Sequence, residues 1–120
     1  ISRKKLMDEV CHTEKLNILG NKWCEIDFHT ASNLLLTTLK FDMAFRQDQI
    51  TPDEMAKLFH KRLLRGYHEN EVFCYTNWLN SSQDNQIQGG WQPLTQNTFD
   101  LAVVFMNNKK LTFSYFISED

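Results

Sequence analysis

At 120 residues, with 42% hydrophobic and 23% charged side chains, the chain has the size and composition of one globular domain, which excludes a disordered or fibrous chain. The net charge is −2: Ile1–Asn70 sets 11 Lys/Arg against 10 Asp/Glu, and Glu71–Asp120 sets Lys109 and Lys110 against five acids, so the later half offers no basic field to nucleic acid. No run approaches the ~18 apolar residues of a membrane span, and an odd set of cysteines (Cys11, Cys24, Cys74) suits a reducing cytoplasm better than a disulfide framework.

Ser2 to about Leu19 places Leu6, Val10, Leu16 and Leu19 loosely at helical intervals, which predicts a first helix stopped by Gly20-Asn21. Lys22–Phe28 alternates, with Cys24, Ile26 and Phe28 on one side and Glu25 and Asp27 on the other, the pattern of a short strand or extended connector. Thr30 and Ser32 are candidate N-caps for a helix over Asn33 to about Arg46. Its stripe is Leu35, Leu39 and Met43, widened by Leu34, Leu36, Phe41 and Phe45.

Thr51-Pro52-Asp53-Glu54 has the order of a capping box: Thr to cap, Pro in the first helical position, Glu to bond back. The helix it predicts runs Pro52–Arg65, buries Met55, Leu58, Phe59 and Leu63, and stops at Gly66.

Val72–Leu79, Thr98–Met106 and Leu111–Ile117 are rich in β-branched and aromatic residues and read as strands. Asn107-Asn108-Lys109-Lys110 reads as a tight hairpin turn, because Asn tolerates the left-handed backbone that two-residue loops need. Between the first two strands, Asn80–Asn97 is a polar loop longer than the ~12–15 residues usual for a plain connection. The fold class expected is α+β: a single domain with two to three N-terminal helices packed on one face of a three- to four-stranded antiparallel sheet.

The chemistry-bearing residues form no motif. Cys11, His12, Cys24 and His29 have zinc-ligand chemistry but lack paired spacing, and Cys11 and Cys24 read better as buried small apolar residues. No metal and no cofactor are expected. His60 and His68 lie around the end of the third helix, where the helix dipole favours histidine; pairing His60 with Glu54 or Asp53 as base and orienter is opposed by their placement round the helix. Asp42, Asp48, Asp53 and Glu54 gather at the junction of the second and third helices, a patch that Lys40, Arg46 and Lys57 dilute.

Small size, mild acidity, many aromatics and the lack of a catalytic or cofactor signature imply a binding protein. The expectation is a small cytoplasmic inhibitor that acts on a protein partner, of the kind exemplified by immunity proteins that neutralise a bacterial toxin domain. The acidic later half is expected to meet a basic partner through Asp84, Glu119 and Asp120, with Trp91 as apolar anchor; Trp91 folded back onto the sheet is the competing reading. A small hydrolase or nuclease using dispersed His and acidic residues, and an accessory subunit of a larger assembly, are the alternatives.

Overall fold

The computed structural model describes residues 2–41, 48–78 and 90–119. Met43 and Phe45, expected on the second helix, and Asp84 and Asp120, expected at the partner surface, lie outside them. The chain forms helices α1 (Arg3–Thr13), α2 (Phe28–Lys40) and α3 (Asp53–Leu63), and strands β1 (Cys24–Ile26), β2 (Phe73–Thr76), β3 (Phe99–Met106) and β4 (Leu111–Ser118). The strands make one antiparallel sheet in the order β1-β2-β3-β4. This is the α+β class expected, with the helices N-terminal to the three later strands.

α1 ends earlier than its apolar spacing predicts. Lys15 takes a left-handed backbone (φ 61°), Leu16 N–H donates to the Cys11 carbonyl at 2.7 Å and Lys15 N–H to that of His12 at 3.3 Å. That is a Schellman stop built on lysine where glycine is the usual signal. The reversal lets Leu16 and Leu19 return to the core beside Met7 and Cys11.

α2 starts before the predicted Asn33, because the cap is Asp27 and not Thr30 or Ser32: the Asp27 carboxylate accepts from Thr30 N–H at 2.7 Å. The helix therefore takes up Phe28, which period two had placed on the strand. Phe28 packs edge-on to Phe105 at 6.1 Å.

α3 starts one residue later than its capping box implies. Its first turn closes from Ala56 N–H to the Pro52 carbonyl at 2.9 Å, and no side chain caps it. Gly66, at φ 86°, stands where the stop was predicted.

The hairpin turn also reaches its geometry by another route. No residue of Asn107–Lys110 has a positive φ; the Asn107 side chain instead accepts from the N–H groups of Lys109 at 2.8 Å and Lys110 at 2.9 Å. Asn serves here as a backbone mimic and not as a left-handed residue.

The helices cover both faces of the sheet, not the one face expected from sequence. Ala31, Leu34 and Leu35 of α2 pack with Ile26, Cys74, Leu101, Val103 and Phe105 on one face, while Met7 and Cys11 of α1 pack with Trp23, Tyr75, Ala102, Val104 and Met106 on the other. So α2 shares its side with α3, and α1 lies opposite. β3 shows why: every residue from Asp100 to Met106 is buried, so both faces of this central strand need cover.

Candidate functional site

One feature that the core does not absorb is the apolar side of α3. Ala56 is fully buried, and His60 one turn on reaches α2, so this row of the helix faces inward. Met55, Leu58 and Phe59 lie on the adjacent side, roughly 100° round. They were expected in the core; instead they are 51%, 46% and 44% exposed, and Ile50, just before the helix, is 60% exposed. The reason is geometric: α3 is tied to α2 by the His60–Ser32 contact, and it is its C-terminal end, Leu63 with the following Leu64, that packs against the buried cluster formed by α2 and the sheet. The stripe carries apolar anchors at i, i+3 and i+4, the spacing with which a helix is read by a partner's groove.

Charges border this stripe. Asp53 and Glu54 occupy the first turn of α3, and Asp48 is exposed in the segment before it. Asp53 accepts from Gln49 Nε2 at 2.7 Å and lies 3.9 Å from Lys40 Nζ, so it partly serves to hold the α2–α3 junction. His60, Lys61 and Arg62 fill the last turn. The helix thus presents an acidic end, an apolar middle and a basic end.

His60 Nε2 lies 2.9 Å from Ser32 Oγ and 3.0 Å from the Ser32 carbonyl oxygen. A carbonyl oxygen only accepts, so Nε2 carries the proton and donates, which spends the nitrogen that a serine nucleophile would need as base. The contact ties α3 to α2. Burial pushes the His60 pKa below its ordinary value, against a weaker upward pull from the Ser32 carbonyl.

Asp100 is completely buried and accounts for itself structurally. Its carboxylate accepts from Asn77 Nδ2 at 2.8 Å, Leu94 N–H at 3.1 Å, Thr95 N–H at 2.9 Å and Thr95 Oγ1 at 2.8 Å. Asn77, equally buried, donates to the Gln92 carbonyl at 2.9 Å and accepts from Ala102 N–H at 2.8 Å. This network pins residues 92–95 to the sheet. These contacts give Asp100 the task of anchoring a segment across β2 and β3.

Trp91 belongs to the same construction. It bridges to Trp78 as an isolated β-pair, stacks on it at 4.5 Å, and stacks on Phe99 at 5.7 Å. Trp78 in turn donates its indole N–H to the Asp100 carbonyl at 2.7 Å. Trp91 is half-buried and packs on the core, as in the folded-back alternative. Glu119 is exposed at the end of β4, where its carboxylate accepts from Thr98 N–H at 3.2 Å and Thr98 Oγ1 at 2.5 Å. The structure brings Glu119 to Thr98 at the start of β3, next in sequence to the Phe99 on which Trp91 stacks.

The cysteine and histidine candidates do not converge. Cys11 packs under α1 and Cys24 against the cluster on the opposite face. Burial, with Asp8 nearby, pushes the Cys11 thiol up to about 11; burial, with Asp27 and Glu25 adding, pushes Cys74 up to about 12. Both are poor nucleophiles. His29 pairs with Glu69 on the surface at 2.5 Å. Among the described residues no group of three or more His, Cys, Asp or Glu is placed to hold a metal ion, and no helix is long and apolar enough to cross a membrane.

No protein-family model, curated protein or solved structure matches this chain.

Proposed function

We propose that this protein binds and inhibits a protein partner, in the manner of an immunity protein that neutralises a toxin domain, and that α3 supplies the contact. The observation that carries the reading is the exposed row Met55, Leu58 and Phe59, continued by Ile50. Contiguous apolar side chains left in water at helical spacing mark an interaction surface, and methionine adapts well to a partner's shape. The polar groups with catalytic chemistry support the same view, because Asp100, Asn77 and His60 are each committed to holding the fold. Asp48 and Glu54 beside the stripe favour a basic partner and speed its approach.

The test begins with capture of a single stoichiometric partner from the native host, followed by its affinity for variants. Leu58→Ala and Phe59→Ala are each expected to weaken binding by about 2 kcal/mol, as buried interface anchors do. Charge reversal at Asp48 and Glu54 is expected to slow association and flatten its dependence on salt. If these leave affinity unchanged while Trp91→Ala or Glu119→Lys lowers it, the interface lies on the sheet half as first expected from sequence. Capture of a multi-subunit complex would favour an accessory subunit instead.

A further inference from the structure

The sheet has two unequal edges. β1 is only three residues long and carries Glu25, a short and charged edge of the kind that discourages further pairing. β4 is eight residues long, pairs continuously with β3 from Phe99↔Ser118 to Met106↔Leu111, and has no bulge, proline or charged residue. Its outer side meets no strand among the described residues. A long, regular, uncharged edge is a template for another strand.

The direction of its backbone groups follows from the hairpin. Asn107 N–H donates to the Lys110 carbonyl at 3.0 Å, so Asn107 and Lys110 form a hydrogen-bonded pair. Alternation along an antiparallel ladder then turns the N–H and C=O groups of Leu111, Phe113, Tyr115 and Ile117 outward. Their side chains share the α1 face, where Leu111 and Phe113 pack into the core while Tyr115 and Ile117 are 38% and 56% exposed. An open groove of about 420 Å³ runs between this strand and α1, lined by Leu6, Val10, Leu111, Phe113 and Tyr115 among others.

We propose that this edge pairs with the β4 edge of a second copy of the chain, antiparallel and centred on Ser114, to make one continuous sheet. The register is self-complementary. It opposes Phe113 to Tyr115 of the copy and Leu111 to Ile117 of the copy, using every outward-facing residue. The two most exposed apolar side chains of the strand are then each covered by an apolar neighbour, the pairing that stabilises a sheet face.

Charge selects the same register. The antiparallel arrangement sets exposed Lys109 opposite Glu119 of the copy, twice over by symmetry, while no like charges meet along the strand. A two-fold interface has to complement itself in this way. The proposal stands independently of the surface on α3, which lies with α2 on the other side of the sheet.

Sedimentation equilibrium over a dilution series, together with cross-linking, tests it. The wild-type chain is expected to reach twice its monomer mass as concentration rises. Ser114→Cys is expected to form a disulfide between two chains at position 114 under mild oxidation, because paired residues at that site of a ladder bring their Cα atoms to about 4.5 Å. Ile117→Lys is expected to give a monomer. Lys109→Glu, in an exposed turn that the fold does not depend on, is expected to raise the dissociation constant roughly tenfold, and adding Glu119→Lys to restore it. A wild-type chain that stays monomeric throughout overturns the proposal. So does a dimer that survives Ile117→Lys and Lys109→Glu, or one that is lost with Leu58→Glu alone.

Discussion

α2 and α3 carry the same kind of apolar pattern and meet opposite fates. In α2, Ala31, Leu34 and Leu35 are fully buried against the sheet; in α3, only Ala56 is buried, and Met55, Leu58 and Phe59 remain about half exposed. Helical spacing of apolar residues says that a helix has a face to cover. It does not say whether this chain or another one covers it. The difference arises because α2 lies directly on the sheet, whereas α3 lies on α2, one layer further out.

The strongest way to break this comparison is to truncate one leucine from each helix. Leu34→Ala is expected to cost about 3 kcal/mol, since it opens a cavity in a sealed core. Leu58→Ala is expected to cost less than about 1 kcal/mol in the isolated protein, because half the side chain already meets water. Urea denaturation reads both. Equal costs would mean that the α3 stripe is covered within the isolated protein.

The helix starts offer a second, smaller contrast. Asp27→Ala is expected to cost about 1 kcal/mol, the value of an N-cap that accepts from the helix backbone. Thr51→Ala is expected to stay within about 0.5 kcal/mol, since no side chain caps α3. A Thr51 effect as large as that of Asp27 would mean that the capping box does form in solution.

The pH dependence of the link between the two helices is the mildest effect. The folded pKa of His60 lies below the ordinary 6.5, so between those two values the unfolded chain binds more protons than the folded one. His60 therefore supports stability in full above pH 6.5, and that support is lost as pH falls through the folded pKa. Denaturation midpoints of the wild type are expected to fall more steeply below pH 6.5 than those of His60→Gln, which keeps a donor but does not titrate. Parallel curves would show that the imidazole is not held in the Ser32 contact.

The legible part of the site was its chemistry, not its place. The spacing of Met55, Leu58 and Phe59 was visible as a helical face and was assigned to the core, since a solitary sequence gives no count of the layers above a helix. Trp91 was visible as a notable aromatic, but its stacking on Trp78 and Phe99 depends on residues that meet only once β2 and β3 pair. Asp100 carries no local signal of its role, because four of the groups that explain it lie on Asn77, Leu94 and Thr95, and the farthest of these is 23 positions away.

By itself the sequence determined the local structures: an α+β chain, three helices, the β3–β4 hairpin and the stop at Gly66. These rest on interactions reaching a few residues along the chain, such as rotamer restriction in β-branched runs, helical periodicity and turn chemistry. Even there, Lys15 and Asp27 took end positions that residue preference alone gave to others. Tertiary structure decided the rest: the opposite placement of α1, the exposure of the α3 stripe, and the position of β4 as a long outer edge. Burial and edge position are properties of segments distant in sequence, and they come into being only when those segments pack.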